Sequence, residues 1–97
     1  MNEMGKAEMK VPGGKLLRAC SKIQEGNITS VLLTGDFFLH PEESIEEMER
    51  RLRGIPAHRD SVQNVVQQFF DTVSPRLIGA TPDSFVEIIM RSLSTTT

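Results

Sequence analysis

The residue types in this chain that allow chemistry are few: one cysteine, two histidines and a glycine turn flanked by lysines. Cys20 falls two residues from both Arg18 and Lys22, so in an extended segment the three side chains share a face. Neighbouring cations favour a thiolate, which would suit a sulfur-handling group. The other reading of Cys20 is a small, half-buried strand residue. His40 belongs to the entry of a helix, and His58 lies in a polar loop beside Arg59. Two histidines and a cysteine this far apart do not have metal-ligand spacing, and the chain's serines and aspartates form no recognisable arrangement with a histidine. Pro12-Gly13-Gly14-Lys15, with Lys10 just before it, is a candidate anion-binding turn, because backbone N–H groups of a glycine turn can face a phosphate. It lacks the GxxxxGK spacing of a nucleotide-binding loop, and no helix follows it. A hairpin turn kept soluble by its lysines is the other reading. Gly35-Asp36-Phe37-Phe38 places two aromatics side by side in an extended corner, where they cannot face the same way. One should enter the core and the other remain for a partner.

The bulk composition narrows the function classes. Ninety-seven residues fit one domain with one modest core, expected to span 1–97 with its packed part at about 5–93. A net charge of −2 leaves no basic footprint for nucleic acid, and the absence of Trp and Tyr argues against a base-stacking platform. No apolar run approaches the roughly 20 residues of a membrane span, and no signal-peptide pattern opens the chain. A single cysteine allows no internal disulfide and suits a reducing compartment. The expectation is a cytoplasmic protein that engages neither membrane nor nucleic acid.

These residues are positioned by a strand-rich first half and a helical second half. Residues 5–11 alternate loosely, residues 15–23 alternate clearly, and residues 28–35 form the most β-prone run. The links are the Pro12 turn and Glu25-Gly26-Asn27. Two short links between three strands imply an antiparallel meander, since parallel pairing needs a long crossover. Arg18, Lys22, Ser30 and Thr34 would line a face left to water or to a partner. Pro41 suits a first helical turn, and Gly54 a helix end. Ile45, Met48, Leu52 and Ile55 would be buried, with ion pairs Glu46–Arg50, Glu47–Arg51 and Glu49–Arg53 on the solvated side. Val62, Val65, Val66, Phe69, Phe70 and Val73 follow helical spacing, and Ser74-Pro75 ends that helix. Thr81-Pro82-Asp83 opens a third helix, with Phe85, Ile88, Ile89 and Leu93 inward and residues 94–97 fraying. The fold class is therefore α+β: a three-stranded antiparallel sheet followed by three helices on one face, βββααα.

Taken together, KVPGGKLLRA and GNITSVLLTGDFFLHPEE, followed by a helix ending at Gly54, resemble the small C-terminal accessory domain of lipoate–protein ligases. The resemblance covers roughly residues 10–93. It implies a fold similar to that of sulfur-acceptor and iron–sulfur scaffold proteins, in agreement with the order read above. It also implies a function. Ligases of this family use ATP and Mg to convert lipoate to lipoyl-AMP, then transfer the lipoyl group to a lysine of a lipoyl domain. Their large catalytic domain, with its arginine- and glycine-rich lipoate loop, has no counterpart here. In bipartite members the small domain is a separate protein that the catalytic subunit needs for adenylate formation. Met1 just ahead of the motif suits that form. The expected role is a non-catalytic subunit in a heterodimer with a catalytic ligase subunit, acting on lipoyl-domain proteins and binding no cofactor by itself. The expected interface or adenylate-priming residues are Lys10, Pro12, Gly13, Gly14, Lys15, Gly35, Asp36, Phe37 and Phe38. The alternative is a sulfur-transfer or iron–sulfur assembly protein that uses Cys20.

Overall fold

The computed structural model describes residues 3–11, 13 and 15–96. Strands β1 (Glu3–Lys10), β2 (Leu16–Gln24) and β3 (Asn27–Gly35) form one antiparallel sheet in the order β1-β2-β3. Alternation sends Ala7 and Met9, Leu17, Ala19, Ser21 and Ile23, and Val31 and Leu33 to one side of it. Ile28 has the wrong parity for that side, yet it is fully buried. A bulge resolves this: Lys22 pairs with Ser30 while Ile23 pairs with Ile28, leaving Thr29 as the extra residue. The sheet is followed by β4 (Phe38–His40), α1 (Ser44–Arg51), α2 (Arg59–Val73), β5 (Arg76–Ile78) and α3 (Pro82–Ser94). The expected sheet and three helices are present. The two-stranded ribbon of β4 and β5 is an addition to that expectation.

The helices pack where their sequence stripes direct them. Met48 and Leu52 of the first helical segment, Val62, Val66 and Phe69 of α2, and Phe85, Ile88, Ile89 and Leu93 of α3 are buried in one cluster with the inner face of the sheet. Val73, at the end of α2, overshoots the core and is exposed. Helix α3 is capped at Thr81, whose Oγ1 accepts from the Ser84 N–H at 3.2 Å, while Ser84 Oγ accepts from the Thr81 N–H at 3.3 Å. Helix α1 begins at Ser44, so Pro41 stands in the turn before the helix and not within its first turn. No helix among the described residues is long and apolar enough to cross a membrane.

Both sheet edges are tied down. At β1, Thr95 Oγ1 accepts from the Lys6 N–H at 3.0 Å. Thr95 therefore anchors a chain end expected to fray. At β3, the Ile28 N–H donates to the Ile55 carbonyl and the Gly54 N–H to the Ile28 carbonyl, at 2.8 and 2.6 Å. The Leu33 N–H donates to Glu49 Oε2 at 2.7 Å. This corrects the expected Glu49–Arg53 pair: Glu49 turns inward to cap the sheet. Nor does Glu46 hold Arg50; Glu47 pairs with both Arg50 (i,i+3) and Arg51 (i,i+4).

The position of Glu49 has a cost. Burial holds its carboxyl above the usual carboxylate range, and the Leu33 N–H offsets only part of this. A raised folded-state value means that the penalty is absent at low pH and grows as pH rises through that value. Glu49→Gln keeps an acceptor for the Leu33 N–H and removes the charge. In urea melts at pH 7 it should be at least as stable as the parent, and the advantage should vanish as the pH approaches the ordinary carboxylate range. Glu49→Ala leaves the part-buried Leu33 N–H without its acceptor and should lose about 1 kcal/mol.

Candidate functional site

The two sequence motifs meet at one end of the sheet. Lys10 closes β1, and the Val11 N–H donates to the Lys15 carbonyl at 2.8 Å, which shuts the turn. Gly13 lies in that turn with φ +97°, a conformation that explains the glycine. Pro12 and Gly14, also expected in the site, lie outside the described residues. From the other strand, the Asp36 N–H donates to the Leu16 carbonyl at 2.8 Å. That bond ties the corner at 35–38 to the first residue of β2, just after the turn. Gly35 permits the approach: its φ is +145°, and a Cβ there would fall on the Leu16 carbonyl oxygen.

The corner separates the two aromatics as period 2 requires. Phe37 turns in and meets the Phe85 ring edge-on, with centroids 5.1 Å apart. Phe38 turns out and is 49% exposed. It opens β4, where Leu39 is buried and pairs with Leu77 of β5, while Phe38 pairs with Ile78, itself 54% exposed. A two-stranded ribbon is marginal alone in water. Here Leu77 packs against the core and Leu39 is buried beside it, which presents Phe38 and Ile78 side by side to solvent. His40 and Arg76 form the next outward pair, both exposed.

The loop from β5 to α3 completes the site. A Cβ at Gly79 would stand 3.1 Å from the Asp36 carbonyl oxygen and 3.8 Å from Lys15 Cγ, so turn, corner and loop converge there. Val11, Gly79, Ala80, Thr81 and Ser84 line a cleft of about 320 Å³ between the turn and the start of α3. Phe37, Phe38, Leu39, Glu42 and Ile45 line another of about 210 Å³ on the far side of the corner. Lys10, Lys15 and Asp36 are exposed. The site thus offers an apolar pair, a few surface charges and two shallow clefts. None of its described side chains forms a nucleophile–base pair.

Sequence reasoning found the turn and the corner but not Ile78 or Gly79. Arg76-Leu77-Ile78 is too short to show a period, and it reads as a loop between Ser74-Pro75 and Thr81-Pro82. Cys20 lies away from this end, half-buried in the middle of β2 on the outer face of the sheet.

Comparison with known proteins places the site in context. The profile of the family described as "Bacterial lipoate protein ligase C-terminus" matches residues 6–89, a span that includes both motifs. Among characterised proteins, the chain is 26% identical over 76 residues to the lipoate-protein ligase A subunit 2 of Thermoplasma acidophilum, covering 76% of each chain. Among solved structures, it is similar to a chain from an archaeal lipoylation system of the same organism, described as a bi-partite lipoate protein ligase and its E2 lipoyl domain. That match has a TM-score of 0.81 and 25% identity, and it covers 92% of this chain and 97% of that one.

The geometry separates two adjacent phenylalanines by role. Phe37→Ala should cost about 1–3 kcal/mol, since it empties a space against Phe85. Phe38→Ala should change stability by no more than about 0.5 kcal/mol. Gly35→Ala should cost at least about 2 kcal/mol through backbone strain and the overlap with Leu16. Chemical denaturation of the three variants checks the order; equal effects at Phe37 and Phe38 would contradict it.

Proposed function

The chain belongs to the family of the bacterial lipoate protein ligase C-terminus, and on that basis we propose that it is the non-catalytic accessory subunit of a bipartite lipoate–protein ligase. The observation that supports this most is the family match across 6–89, which takes in a turn and a corner that the fold brings into contact. Membership also decides between the two readings of the sequence in favour of the ligase subunit over sulfur transfer at Cys20. The relatives are a ligase subunit and a chain of a bi-partite ligase studied with its lipoyl domain. By that likeness, the partner of this chain is a separate catalytic subunit, and the pair acts on lipoyl-domain proteins in the cytoplasm. The whole of 1–97 serves as one accessory domain.

The site's residues suit docking better than catalysis. ATP, Mg and lipoate are handled by the catalytic subunit. On this chain, Lys10 and Lys15 stand exposed at the turn, and among the described residues no buried side-chain polar atom lacks a partner that a nucleotide would satisfy. The accessory subunit acts by binding one conformation of the catalytic subunit better than another, which shifts its population toward the adenylate-forming state. Moving an equilibrium from 1:99 to 99:1 takes about 5.5 kcal/mol of differential binding. Two buried hot-spot side chains at about 2 kcal/mol or more each supply most of that. Phe38 and Ile78 are placed to do so, with the turn and Asp36 fixing orientation.

The test is lipoyl-AMP formation by the catalytic subunit, with ATP, Mg and lipoate, in the presence and absence of this chain. Formation should depend on the chain and saturate at one copy per catalytic subunit. The double variant Phe38→Asp, Ile78→Asp should raise the half-saturating concentration at least tenfold while its thermal midpoint stays within a few degrees of the parent's. Equal adenylate formation with and without the chain would overturn the reading.

A further inference from the structure

The outer face of the sheet takes no part in the site described above, and the helices all lie on the other side. Among the described residues nothing covers it. Its centre is apolar: Leu32 of β3 is 58% exposed and stands in register with Cys20 of β2, which faces Lys6 of β1. Leu32, Cys20 and Thr34 share a shallow depression of about 150 Å³ with Lys6 and Arg18. Around it stand Lys6, Arg18 and Lys22, all exposed. The opposing charge, Glu8, is held by Arg18 at 3.2 Å. Three cations against one carboxylate make this face positive, although the chain as a whole carries −2. The acids are concentrated on α1 and its approach, at Glu42, Glu43, Glu46 and Glu47.

We propose that this face is the second half of the docking surface and receives an acidic surface with an apolar centre on the catalytic ligase subunit. The proposal rests on the accessory-subunit reading and names where on this chain the contact extends. Charge and area argue for that occupant. Three strands about 4.8 Å apart, spanning the six steps from Met4 to Lys10, give a footprint of roughly 300 Å². A stable interface takes about 800 Å² per partner. The face is therefore too small to hold a separate protein by itself. It is continuous with the turn-and-corner site, however. The row that follows Glu8 and Arg18 along the strands is Lys10 and Leu16, and the Leu16 carbonyl holds Asp36. A body seated on the corner and extending over Leu32 covers more of this chain than either patch offers alone.

Cys20 is the chain's sole cysteine and lies in the middle of this face, so it reports directly on coverage. The rate of its alkylation by N-ethylmaleimide, read by mass spectrometry of this chain, should fall at least tenfold when the catalytic subunit is saturating. The Lys6→Glu, Lys22→Glu pair should weaken the complex at least tenfold at low salt, whereas acidic changes at Gln63 and Gln67 on α2 should leave it within twofold. A complex that forms and makes adenylate with Cys20 unprotected, and with the lysine pair without effect, overturns the proposal alone. Protection by an isolated lipoyl domain and not by the catalytic subunit overturns the choice of occupant. Failure of the chain to bind or stimulate the catalytic subunit at all is failure of the accessory-subunit reading, and this proposal falls with it.

Discussion

Helix α3 reaches the sheet at a point where side chains are nearly absent. A Cβ on Gly5 would fall on the Ser92 carbonyl, so only glycine lets the helix backbone come this close to β1. Gly5 pairs across the sheet with Ser21. The hydroxyls of Ser21 and Ser92 meet there, both fully buried, and Ser92 Oγ in turn donates to the Ile89 carbonyl at 2.7 Å. Two hydroxyls buried in an apolar layer would be costly without partners, and each supplies the other's. From Ser92 back to Thr81 the helix runs about 16 Å, close to the roughly 20 Å that β1 covers from Gly5 to Val11. The contact at one end therefore sets what happens at the other. It brings Phe85 under Phe37 and the start of α3 beside Val11. The corner is where it is because the helix is anchored two to three turns away.

The use of surfaces follows from that arrangement. The inner face of the sheet is occupied by helices, and both edges are capped in part, β1 by Thr95 and β3 by Glu49 and the segment at 54–56. Edges managed in this way discourage strand-to-strand aggregation. What remains open is the outer face and the ribbon, and these carry Leu32, Met4, Phe38 and Ile78, four of the large apolar side chains the molecule leaves exposed. A fold that closes its edges and still exposes apolar groups on contiguous surfaces is suited to a partner.

Much of this was legible from residues alone. Period-2 alternation in β2 and β3, the short links, and the Thr81-Pro82 start of α3 led to the sheet, its antiparallel order and a helix boundary. The opposite fates of Phe37 and Phe38 followed from adjacency in an extended chain. What escaped depends on contacts between distant residues. Gly5 reads as an ordinary glycine in a loose strand until a helix is laid on it. Glu49 reads as one more acid on a charged helix, and only the unpaired Leu33 N–H explains why it turns inward. The ribbon of three-residue strands has no period to read, so Ile78 was missed although Phe38 was not. The turn and the corner were each found, but not the bond from Asp36 to Leu16 that joins them.

The proposed function rests on one surface: a turn, a corner and an apolar pair, held in place by α3 and proposed to meet a catalytic subunit. Replacing Phe38 with a photo-crosslinking phenylalanine analogue tests this directly. Illumination of the mixture should join this chain to the catalytic subunit in high yield, whereas the same analogue at Gln63 of α2 should not. Crosslinking from Gln63 with none from Phe38 would contradict the account.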